Sequence, residues 1–118
     1  MKDINKIKSA LQSIVKAKDD GYFNEHEWSI DYSIDLNADL FNQLSKLNHS
    51  VEFLSEAIER KDEFAIVAAL ISTVGFSMNL EGYFRNITED IDKIFQTEGY
   101  LKDLPEDYKI PEFYNYDL

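Results

Sequence analysis

The chain has 118 residues, 44% of them hydrophobic and 14% aromatic, which suits one domain with a core of its own and is too apolar for a disordered chain. Its net charge is -11, from 23 acidic against 12 basic residues; this argues against nucleic-acid binding and against an anionic membrane surface, and favours a basic protein partner. There is no cysteine, hence no disulfide framework and no thiolate metal site, a usage that fits a cytoplasmic protein.

The opening MKDINKIKSA is charged and amphipathic, without the continuous apolar run of a signal peptide, so no export signal is expected. Ile4, Ile7, Leu11, Ile14 and Val15 recur at helical spacing and predict a helix over 3–18, capped by Asp3 and ended by Asp19, Asp20 and Gly21. Residues 22–37 carry two periods at once. Trp28, Ile30, Tyr32, Ile34 and Leu36 alternate with polar residues, the strand signal, while Trp28, Tyr32, Leu36 and Leu40 stand four apart, the helical one. An extended segment over 28–34 and a helix both fit. A strand there would need a partner, and the one candidate is the C-terminus, where Tyr114, Tyr116 and Leu118 alternate with Asn115 and Asp117.

A helix is predicted from near Asp35 to Arg60, on the stripe Leu40, Leu44, Leu47, Val51, Leu54 and Ile58, with a turn at RKDE. Residues 64–80, FAIVAALISTVGFSMNL, hold no charge; the run is short for a membrane span, its flanks show no clear charge bias, and it predicts a central core helix. Gly75 and Gly82 are expected to bend or end that helix, with Thr88 capping a fresh one that runs to Gln96 and stops before Gly99. Pro105 and Pro111 mark residues 100–118 as a non-helical tail packed on the body. The expected fold is a single mainly α domain over 1–118, a compact bundle of four to five helices.

The most acidic stretch is 19–45, with seven acids, the only Trp and no Lys or Arg. Asp31, Asp35 and Asp39, spaced by four, repel one another on a helix, a cost that makes sense if a cationic partner neutralises them. With Glu25 and Glu27 they form the candidate partner-binding set, alongside Asp19 and Asp20. Trp28, Tyr32, Tyr22, Tyr114 and Tyr116 are the candidate apolar anchors, since Trp and Tyr often dominate interface energies. The alternative is that Trp28 and Tyr32 are core residues and the acids a solvated face.

Glu52, Glu56, Glu59 and Glu63 form a second acidic stripe, which by itself reads as a solvated helix face. Glu56-x-x-Glu59 followed by Glu89-x-x-Asp92 puts two carboxylate pairs on two helices. That arrangement resembles the all-helical nucleotide pyrophosphohydrolases of the MazG type, which implies Mg²⁺ held among the four carboxylates. The doubled Glu that usually heads the first motif is missing, because Ser55 and Ala57 flank Glu56. His26 and His49 share no ligand spacing, Ser13-x-x-Lys16 lacks its accompanying motifs, and no Gly-rich phosphate loop occurs. No catalytic residue, cofactor or metal is therefore assigned.

In size, acidity and helical content the chain resembles the immunity proteins of bacterial toxin systems. That resemblance implies a non-catalytic protein that occludes the cleft of a basic toxin domain, a nuclease in many such systems, with acids standing in for nucleic-acid phosphates. A third reading is a dimeric helical adaptor that uses the uncharged 64–80 helix as subunit interface.

Overall fold

The computed structural model describes residues 2–116, so Met1, Asp117 and Leu118, and with them the end of the Tyr114–Leu118 alternation, lie outside the described residues. Three α-helices follow one another: α1 (Lys6–Lys18), α2 (Leu36–Glu59) and α3 (Glu63–Gln96). Single 3-10 turns occur at Glu25–Glu27 and Glu112–Tyr114. The mainly α character expected from the sequence is present, with three helices among the described residues rather than four or five.

The missing helices are accounted for by α3, which runs unbroken for 34 residues. Gly75 and Gly82 have helical backbone and open space around them. An interior glycine costs a helix only about 1 kcal/mol, whereas a proline would break it. Thr88 does not start a new helix; its hydroxyl donates back to the Phe84 carbonyl (3.2 Å), as a mid-helix threonine does. Residues 28–34 are neither strand nor helix but a chain of bends leading to Asp35, whose carboxylate caps α2 by accepting from the amides of Asn37 and Ala38.

α2 and α3 form an antiparallel hairpin, and its seam follows a coiled-coil spacing of threes and fours. Leu36, Leu40, Gln43, Leu47, Ser50, Leu54 and Ala57 of α2 face Ile66, Ala69, Thr73, Phe76, Leu80 and Tyr83 of α3. The turn between them uses Lys61 in the left-handed region (φ 57°), with the Asp62 amide donating to the Ala57 carbonyl (3.0 Å), and Asp62 caps α3 through the Ala65 amide. α1 runs alongside the C-terminal half of α3. Its start is tied to Leu36 and Asn37, and its end to Tyr100 through Asp19.

The molecule therefore has a head and a stalk. The head holds the one cluster of large buried hydrophobics, Leu11, Val15, Ile30, Leu36, Tyr83 and Ile94, with Phe23, Trp28 and Tyr32 packed against it. In the stalk the most deeply buried positions are the small residues Ser50, Ala57 and Ala69, with Leu80 the one large buried residue of the seam outside the head cluster, and only two helices are present to cover one another. The bundle is not compact: its radius of gyration is 20.0 Å and its extents are 59 × 34 × 27 Å. A compact chain of this length would have a radius of about 13–14 Å. Residues 64–80 are accordingly not a central core helix. Phe64 is 91% exposed and Ile71 66%, because α2 shields only one side of them. In the tail Tyr100, Ile110 and Pro111 are half-buried and residues 101–109 are exposed.

Candidate interaction surfaces

The head is organised by Asp90, 1% exposed on the inward side of α3. Its carboxylate accepts from the backbone amides of Ser29 (2.7 Å) and Ile30 (3.0 Å) and from the Tyr32 hydroxyl (3.0 Å). Burial, then the neighbouring Asp90 charge, raises the Tyr32 phenol well above its ordinary value and keeps it a donor. Ser29 Oγ donates to Glu89 (2.8 Å), and Lys93 donates to the Glu27 carbonyl (2.7 Å) while lying 4.3 Å from the centre of the Trp28 ring. Phe23 stacks on Trp28 and meets Tyr32 edge-on.

A second network joins α1 to α2. Ile4 N donates to Asn37 Oδ1, Leu36 N to Asn5 Oδ1, Asn5 Nδ2 to Asp35 and Asn37 Nδ2 to Asp3, all within 2.8–2.9 Å. The Asn5 side chain, followed by the Ala38 and Asn37 amides, holds the Asp35 carboxyl below the usual value. Asp31 is lowered chiefly by the Ser33 hydroxyl and amide.

The candidate residues fall in different surroundings, with Tyr22 and Asp20 exposed ahead of the head. Trp28 and Tyr32 are half-buried in the head. Asp35 is a helix cap and Asp31 closes its own turn. Glu25 and Glu27 lie exposed in the 3-10 turn, and Tyr114 and Tyr116 are exposed in the tail. Asp31 and Asp39 are brought to one groove of about 510 Å³, lined also by Asn42, Gln43, Asn79 and Asn86, with Lys46 its one cation. Gln43 donates to Asp39 (3.0 Å), while its amide oxygen is buried without a partner.

The pyrophosphohydrolase carboxylates do not converge. Ser50 meets Thr73 across the seam (3.1 Å), which sets Glu56 and Glu59 level with residues 64–67 near the hairpin tip. Glu89 lies some 22 residues farther along α3, about 33 Å at 1.5 Å per residue. Among the described residues no group of three or more His, Asp or Glu side chains is placed to hold a metal ion.

The largest feature contains none of the candidate acids. Phe41, Leu44, Val51 and Ile58 of α2 are exposed, as are Phe64, Val67, Leu70, Ile71, Val74 and Met78 of α3. Phe41, Leu44, Val51 and Ile58 of α2, and Val67, Leu70 and Val74 of α3, each follow a seam residue by one position, which in an antiparallel pair puts them on one side of the hairpin; Phe64, Ile71 and Met78 lie two positions from the seam residues and point directly away from α2, along the outer edge of α3. The opposite flank of α3 carries Ala68, Ser72, Gly75 and Asn79. α3 is long and apolar enough to cross a membrane, with only 11% of its most apolar window buried. The total accessible surface is 9478 Å². A folded monomer of this mass exposes about 6,600 Å², so roughly 2,800 Å² is in excess, shared between the tail and this face.

The fold is thus an all-α head-and-stalk hairpin with two surfaces, an amide- and carboxylate-lined groove at the head and a bare apolar face on the stalk. No protein family, curated protein or solved structure matches the chain.

Proposed function

We propose that this chain is a non-catalytic protein-interaction module of the helical adaptor kind, acting in the cytoplasm, whose principal working surface is the bare face of the α2/α3 hairpin. The observation that carries this reading is the uncovered apolar stripe on both stalk helices, Phe64 and Ile71 foremost. Isolated apolar residues are common on protein surfaces, but a contiguous face the length of a helical hairpin marks a place where something docks. The test is a photo-crosslinking amino acid placed at Val67 in living cells, with exposed Glu52 on the flank as control. A discrete adduct from position 67, lost when Ile71 and Val74 are made Asp, is expected. Equal yields from 67 and the control, or none from 67, would refute the reading.

The neutralisation of a basic toxin domain is a second proposal, favoured by one observation: Asp31 and Asp39 line the same groove. Two carboxylates in one cleft suit an arginine or lysine side chain of a partner. In this form Asp31 and Asp39 carry the contact, while Trp28 and Tyr32 hold the head together. Asp31→Asn with Asp39→Asn should slow association with a basic nuclease domain and flatten its salt dependence. Association unchanged at low salt counts against it.

A further inference from the structure

We infer that the occupant of the stalk's apolar surface is a second copy of this chain, docked antiparallel about a two-fold axis at Ile71 so that the two α3 helices pack along their outer edges. The inference rests on the adaptor reading and adds the identity of the partner. Two features lead to it.

The first is charge. Two chains of net charge -11 repel almost everywhere, but α3 carries no ionisable residue from Phe64 to Leu80. That stretch is the surface on which two copies meet without a like-charge penalty. The second is register. With Ile71 on the axis, Phe64 stands opposite Met78 of the second copy, and Glu81 comes level with Arg60 and Lys61 at the other hairpin's tip. A parallel pairing sets Glu63 on Glu63 and Glu81 on Glu81. The antiparallel arrangement is isologous, so it closes at two copies. A bilayer is a poorer occupant, because α2 lies along the whole of this stretch of α3 and carries Glu52, Glu56 and Glu59 with it.

The experiment uses the purified full chain, whose lack of cysteine makes introduced thiols unambiguous. Light scattering at high micromolar concentration should give twice the chain mass, and Ile71→Asp should weaken the dimer by about 100-fold or more, since two carboxylates would meet on the axis. Circular dichroism of that variant should show unchanged helix, as Ile71 is exposed in the single chain. Under mild oxidation Ile71→Cys should form a disulfide dimer. Phe64→Cys should not do so alone, but should cross-link to Met78→Cys when the two are mixed. Cross-linking of Phe64→Cys to itself overturns the antiparallel register. A monomer at every concentration overturns the second copy, as does a monomer that co-sediments with phosphatidylcholine–phosphatidylglycerol vesicles through Ile71. In either case a crosslinked adduct of another mass from position 67 in cells leaves the adaptor reading standing.

Discussion

Removing the Asp90 carboxylate should unhinge the head before it melts the stalk. Asp90 is 1% exposed and is the common acceptor for Ser29 N, Ile30 N and the Tyr32 hydroxyl. Asp90→Ala strands two backbone amides and a phenol, each stranded donor costing about 1–3 kcal/mol, so a total near 3–5 kcal/mol is expected after relaxation. For 118 residues the unfolding entropy is about 0.25 kcal/mol per degree, which converts to a fall of about 12–20 °C in Tm. Asp90→Asn keeps one acceptor oxygen and should cost about 2–3 kcal/mol, and Tyr32→Phe, which removes one donor, about 1 kcal/mol. Trp28 is the only tryptophan and adjoins the pinned segment, so its emission reports the head while far-UV circular dichroism, dominated by α2 and α3, reports the hairpin. In urea the Asp90→Ala fluorescence transition should precede the dichroism transition. A Tm within about 2 °C of wild type, with coincident transitions, would mean that the three bonds do not hold the head, and the reasoning would be refuted.

The helix caps should each be worth a measurable step: Asp35→Ala and Asp62→Ala remove the side-chain acceptors at the starts of α2 and α3 and should cost about 0.5–2 kcal/mol in urea denaturation. Gly82→Ala should stabilise the chain by about 0.5–1 kcal/mol, because its backbone is helical and an added Cβ meets nothing within 4 Å; a loss of stability would show that the site is occupied. Asp31 and Asp35 have carboxyls lowered from 3.8, so the unfolded chain binds their protons first; their contribution is complete above about pH 4 and is lost as pH falls through the folded-state values. The urea midpoint should therefore drop on acidification below pH 4, by less in Asp35→Asn, and an identical slope in that variant would remove Asp35 from the account.

The helices were legible where a single period ran uninterrupted. The stripes of α1 and α2 and the RKDE turn are in place because one spacing runs unbroken through each, although α1 starts at Lys6 without a side-chain cap rather than at Asp3. The double period of 28–37 was unreadable for a physical reason: its backbone is held by hydrogen bonds from residues about 60 positions away, to Asp90 and Glu89, which no local pattern encodes. Asp90 itself left a signal, since it falls on the inward stripe Tyr83, Ile87, Asp90, Ile94, where a carboxylate is out of place unless donors surround it. The charge-free run at 64–80 was visible as an apolar helix, but apolarity alone cannot say whether the cover comes from the same chain. Only the shape of the fold, with a single helix on one side of it, separates a core from a docking face.

The lone Trp within the most acidic stretch has a structural cause. Local cations are absent from 19–45 because distant ones arrive: Lys8 of α1 donates to the Ile34 carbonyl, and Lys93 of α3 donates to the Glu27 carbonyl while covering the Trp28 ring. Both lysines are spent on backbone oxygens and an aromatic face. Among the described residues the one salt bridge is Arg60 with Glu56, at the far end of the hairpin. The acids of the head are thus held in place by neutral donors, Asn5, Ser33 and main-chain amides, which fix their positions without cancelling their charge. A head that keeps its negative field and a stalk stripped of charge divide the molecule electrostatically. Antiparallel pairing of two stalks would send the heads to opposite ends, where their fields repel least and where each groove stays open to a cationic partner.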